Sequence, residues 1–170
     1  MKILGIDPGT TKSGWVVFDG VHVIECGVSL NQELLEKIKQ TTDTPLAIEM
    51  IASYGMAVGR EVFETCVWIG RFIQASQHPD NVRLVFRKDV KLHLCGTPKA
   101  KDANIRQAVI DLFPKTGDGA VPQIGTKKKR GPLYGVSTHV WPALAVAITA
   151  LKAVKTTLRL TKRVLTKKEK

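Results

Sequence analysis

Cysteine is scarce in the 170-residue chain: Cys26, Cys66 and Cys95 are widely spaced and form no C-x-x-C pair. An odd, scattered set cannot make a disulfide framework or a zinc knuckle, so reduced thiols and a cytoplasmic setting are expected. Long apolar runs are missing too. The richest stretch, 140–154, is alanine-rich and interrupted by Lys152, well short of the roughly 20 unbroken apolar residues of a membrane span. The opening Met1-Lys2-Ile3-Leu4-Gly5-Ile6-Asp7 lacks the long apolar core of a secretory signal. Acidic residues are the third shortage, with 15 Asp+Glu against 26 Lys+Arg, a formal charge of +11. Neutralising phosphates releases condensed counterions, so nucleic acid, not membrane, is the partner this balance predicts.

What is present suits one folded domain, since 44% of residues are hydrophobic and the length allows a single substantial core. Apolar runs rich in β-formers predict strands at 2–7, 13–18, 21–29, 45–51 and 82–86, the first ended by Pro8-Gly9 and the second by Asp19-Gly20. Helical spacing predicts a helix at 31–40 capped by Asn31, with Leu34, Leu35 and Ile38 on one face. A longer helix is expected near 58–76, with Val62, Cys66, Ile69 and Ile73 as its apolar stripe. Further helices are expected near 90–94, from about 99 to before Pro114, and from His139 or Pro142 to 155. Residues 115–135, rich in Gly, Pro and Lys, read as an exposed, mobile loop. A three-strand meander followed by strands alternating with helices implies a mixed five-stranded α/β sheet flanked by helices.

Most carboxylates fall on predicted helix faces or turns. Asp7 and Glu49 do not: Asp7 ends the first strand, and Glu49 lies between Ile48 and Met50 in the fourth. Each has an ordinary reading, Asp7 as a turn cap before Pro-Gly and Glu49 on a solvated sheet face. Read together they suggest more. The fourth strand can lie beside the first, and two close carboxylates repel unless a cation separates them. Hard oxygen ligands suit Mg2+ or Mn2+, ions able to activate water and stabilise a leaving oxygen in phosphodiester cleavage.

Three blocks in this order and spacing resemble the RuvC-type Holliday junction resolvases. They are Gly5-Ile6-Asp7-Pro8-Gly9-Thr10-Thr11-Lys12-Ser13-Gly14, then Ala47-Ile48-Glu49, then His139-Val140-Trp141-Pro142-Ala143-Leu144-Ala145-Val146-Ala147. Segments 100–113 and 125–141 look most like bacteriophage versions of that family. The resemblance implies an RNase H-like nuclease domain over 1–156 and a basic, flexible tail over 157–170. It also implies a homodimer that makes paired, metal-dependent nicks in four-way junctions and other branched DNA, in the bacterial host cytoplasm if phage-encoded. By matched position Asp7, Glu49 and His139 become metal ligands, with two Mg2+ or Mn2+ ions expected per site. Where the family usually places an Asp before Ala-Leu-Ala, this chain has Pro142. The site then works with Asp7, Glu49 and His139 alone, or another acid substitutes, Asp102 being the nearest by type, or the protein binds junctions without cutting them. Asp102 also has a plain role, since a carboxylate in a helix's first turn complements the dipole.

Phosphate contacts are expected from Lys99, Lys101 and Arg106, and from the run Lys127, Lys128, Lys129, Arg130. The resemblance places basic residues of this region at the DNA, some near the scissile phosphate, which brings Lys101 into the catalytic set. Tyr54, in the segment after Glu49, is a candidate for stacking at the junction centre or for anchoring its own loop. Residues 5–11 also look like the first phosphate loop of ATP-binding proteins of the actin and sugar-kinase type. That fold needs two lobes and a second phosphate loop, for which this length has no room.

Overall fold

Side chains alternate between the two faces of a strand, and this alternation sets what each strand contributes. A computed structural model describes residues 1–53 and 55–153. Five strands, β1 (Ile3–Asp7), β2 (Lys12–Phe18), β3 (Val23–Leu30), β4 (Leu46–Met50) and β5 (Arg83–Phe86), form one sheet in the order β3-β2-β1-β4-β5. The meander β1-β2-β3 is antiparallel, and β4 and β5 add in parallel beyond β1. This is the mixed five-stranded sheet that the sequence predicts, with strand ends moved by one or two residues.

Each face has its own core. Leu4, Ile6, Leu46 and Ile48 pack against α1 (Asn31–Gln40) and α2 (Arg60–Ala75) through Leu34, Ile38, Ile69 and Phe72. Ile3, Val16, Phe18 and Ala47 face the other way. They meet α3 (Arg87–Cys95), α4 (Asp102–Asp111) and a last helix, α5, described over 140–153. α5 is buried nearly all round, with Val140, Ala143, Leu144, Ala145, Val146 and Ala147 inside. It lies directly against the sheet because residues 5 and 14 have no side chain: a β-carbon on Gly5 would come within 2.5 Å of the Ala143 carbonyl oxygen.

Three expectations change. Asn31 is the first residue of α1, not its cap, and its side chain turns away from the helix into a buried network. The buried stripe of α2 is Thr65, Ile69 and Phe72, rotated from the predicted one so that Phe72 fills the core. Residues 115–135 do expose Lys127–Arg130, but the loop is tied down. Gly117 N–H donates to the Pro122 carbonyl, Gly131 N–H to Ile124 and Leu133 N–H to Gln123, while Gln123, Leu133 and Val136 are buried. Tyr54 and the expected basic tail over 157–170, with its boundary, lie outside the described residues. Among those described, no helix is long and apolar enough to cross a membrane.

Candidate metal centre and its surroundings

The parallel pairing of β1 with β4 matches Gly5 to Ala47 and Ile6 to Ile48, so the next step brings Asp7 beside Glu49. Alternation turns both side chains to the α5 face, at the carboxyl ends of the strands, where open α/β sheets commonly bind ligands. Both are largely shielded, with side-chain exposures of 20% for Asp7 and 14% for Glu49. Burial is the main reason both titrate high. Asp7 rises from 3.8 to about 6, its rise checked by the neighbouring Glu49 side chain and by the Arg87 charge. Glu49 rises from 4.5 to about 7, with Arg87 opposing the shift and Asp7 adding to it.

The turn after Asp7 is held from behind. Gly9 N–H donates to Ser13 Oγ at 3.2 Å, Ser13 Oγ donates to Asn31 Oδ1 at 2.7 Å, and Asn31 Nδ2 donates to the Gly9 carbonyl at 2.8 Å. Ser13 and Asn31 are buried, so this closed set of bonds fixes the chain that leaves Asp7.

Arg87, the first residue of α3, is the site residue that sequence reasoning missed. One guanidinium nitrogen lies 3.3 Å from Glu49 Oε1 and the other is paired with Asp102 Oδ1. Its place follows from the register: Met50 pairs with Phe86, so the residue following β5 emerges at the sheet end that carries Glu49. Asp102 stands at the start of α4, 79% exposed, and reaches the carboxyl pair only through Arg87. His139 precedes α5; its Nδ1 is 3.6 Å from Asp7 Oδ2 and its side chain is 68% exposed. Among the described residues, no three His, Cys, Asp or Glu side chains converge closely enough to hold a metal as they stand.

Two adjoining cavities open here. One, of about 330 Å³, is lined by Asp7, Pro8, Glu49, Met50, Ile51, Ala52, Arg87 and Pro142. The other, of about 350 Å³, is lined by Arg87, Asp102, Ala103, Ile105, Arg106, Thr138, Trp141 and Pro142. Arg106 lies over the Trp141 ring at 5.0 Å. Lys99 and Lys101 are exposed immediately before α4, and Lys101 N–H donates to Asn104 Oδ1. In the upstream loop Lys127 and Lys128 are exposed, Lys129 Nζ is 3.7 Å from Asp118, and Arg130 stacks on Tyr134 at 4.6 Å.

A mixed sheet of this order with helices on both faces is the RNase H-like fold. The chain is similar to the structure of Thermus thermophilus RuvC, with 18% identity and a TM-score of 0.65 over 92% of this chain and 97% of that one. It is also similar to Thermus thermophilus RuvC in complex with a Holliday junction substrate, at 19% identity and a TM-score of 0.61 over 88% and 92%. At such identities the likeness is one of fold, and it gives no support to a bacteriophage-like branch. No protein-family model matches the chain, and no curated protein matches it.

Proposed function

We propose that the chain is a structure-selective endonuclease that hydrolyses phosphodiesters of four-way DNA junctions with the help of Mg2+ or Mn2+. The observation that carries this reading is the shielded Asp7–Glu49 pair at the carboxyl ends of adjacent parallel strands. It lies in a fold shared with a protein whose structure is known on a Holliday junction substrate.

The residues fit a hard cation. Burial drives both carboxyls toward protonation, and a divalent ion between them relieves that cost. Mg2+ is often held by one or two carboxylates, with waters and substrate phosphate oxygens filling its other positions. Asp7 and Glu49 would hold it, with His139 as a third donor beside Asp7. When bound, the ion supplies charge stabilisation at the phosphoryl oxygens and an acidified water. The chain's own groups orient the reaction. Arg87 fixes the Glu49 carboxyl, Asp102 holds Arg87 in turn, and Lys99, Lys101 and Arg106 meet the flanking phosphates. Lys127–Arg130 extend that contact, and Tyr54 meets the junction centre. A homodimer matches paired nicks, and the exposed Phe63 and Val67 of α2, at 61% and 55%, support a contact face there.

A non-cleaving junction-binding protein is the second reading, favoured by Pro142 standing where a carboxylate would serve. Labelled four-way junction, Y-fork and linear duplex, each with Mg2+, Mn2+ or EDTA, separate the two. Metal-dependent cutting of branched DNA that Asp7→Asn abolishes, with binding retained, is expected. Tight binding without cuts would leave the binding module standing instead.

A further inference from the structure

We propose that Arg87 takes the place of a second divalent cation, so that this site works with one metal ion rather than the two that the family resemblance implies. The proposal deepens the metal-nuclease reading and rests on it.

A bridging metal in a carboxylate site touches acids from different elements and pulls them together. Arg87 does this here, reaching Glu49 of β4 with one nitrogen and Asp102 of α4 with the other. The guanidinium is planar, carries five donors and keeps its charge across the working pH range, so it can span two acids as a fixed cation. Arg87 and Pro142 both line the two cavities, forming the wall between them. Pro142 offers no side-chain oxygen to an ion on that wall, and the Glu49 edge facing Asp102 is already occupied by Arg87.

The charge count agrees. With a divalent ion bound both carboxyls are ionised; Asp7, Glu49 and Asp102 against Arg87 then carry two net negative charges, which one such ion cancels and a second would overshoot. Asp102 could reach an ion between Asp7 and Glu49 only by displacing the guanidinium that it holds. Pro142 therefore does not leave the site short of a ligand: with Arg87 in place, no acid is needed at that position. Arg87 is a positioning residue in this scheme.

Mn2+ bound per chain can be counted by calorimetric titration and by electron paramagnetic resonance on wild type, Arg87→Met and Arg87→Lys. Each is measured free and with a four-way junction carrying a slow-cleaving phosphorothioate backbone. Wild type and Arg87→Lys are expected to take up one ion with an isolated-ion spectrum. Arg87→Met is expected to take up two, with the spectrum of a spin-coupled pair. Two ions in wild type, or one in a folded Arg87→Met, overturns the proposal. Circular dichroism checks folding, and Arg87→Gln gives the same comparison if the Met variant is unstable. Wild type that binds no Mn2+ in either state defeats the metal-nuclease reading itself, a result distinct from finding two.

Discussion

Gly14 of β2 faces the carbonyl of His139 so closely that a β-carbon at position 14 would stand 2.0 Å from that oxygen. The start of α5 is thereby seated on the sheet next to Asp7. Gly14→Ala must push the helix start outward, and overpacking of this kind costs about 1–3 kcal/mol. His139 and Pro142 move with it. Urea denaturation should show the loss in stability, and junction cleavage should fall further than junction binding. A Gly14→Ala protein with unchanged stability and cleavage would mean that the close approach is not structurally required.

The Ser13–Asn31–Gly9 network gives the second prediction. Both side chains are buried and each leaves a partner unsatisfied when removed. Ser13→Ala or Asn31→Ala should each cost about 1–3 kcal/mol. Because the bonds form one closed set, the double variant should cost less than the two singles added together. Additive losses in a double-mutant cycle would show that the two side chains act independently and do not jointly hold the turn after Asp7.

Much of this architecture could be read from residue order. The strands announced themselves through β-branched runs ended by Pro8-Gly9 and Asp19-Gly20, and the expectation that the fourth strand can lie beside the first matches the β1–β4 pairing, whose parallel direction the sequence did not indicate. Periodicity failed where packing chose between similar residues. On α2 either of two adjacent stripes could face inward, and the large ring of Phe72 decided it. Composition also misjudged residues 115–135. Gly and Lys suggested a mobile loop, but glycines at 117, 125 and 131 allow close backbone approaches, down to 2.3 Å from where a Gly125 β-carbon would stand, and these let the segment bond to itself. Arg87 was hidden for another reason: its meaning depends on the register of β4 with β5, which no local pattern encodes.

The raised carboxyls predict how stability changes with pH. Asp7 and Glu49 titrate near about 6 and about 7 in the folded chain, above their ordinary 3.8 and 4.5. Between those limits the folded chain holds more protons than the unfolded one, so stability falls as pH rises. The penalty is absent below about pH 4 and fully present above about pH 7. Denaturation of metal-free protein across this range should show the decline, and Asp7→Asn should reduce it. Added Mg2+ should restore stability most at the upper end. If metal-free wild type gained stability relative to Asp7→Asn as pH rose, the carboxyl pair would not be under the strain that its burial implies.

The basic loop predicts a salt dependence divided unevenly among its residues. Lys129 is engaged with Asp118 and Arg130 with the Tyr134 ring, whereas Lys127 and Lys128 are exposed at the tip. If the tip meets phosphate, each contact contributes about 0.9 to the slope of log affinity against log salt. Lys127→Ala with Lys128→Ala should therefore flatten that slope by about 2 while leaving the cleavage rate at saturating junction unchanged. Lys129→Ala should change the slope less and loosen the turn that its backbone closes with Asp118 and Thr126. Binding measured across a salt series distinguishes these outcomes. An unaltered slope in the double variant would remove the loop tip from the DNA contacts, and an equal drop in the saturated cleavage rate would mean that the loop acts on the reacting phosphate as well.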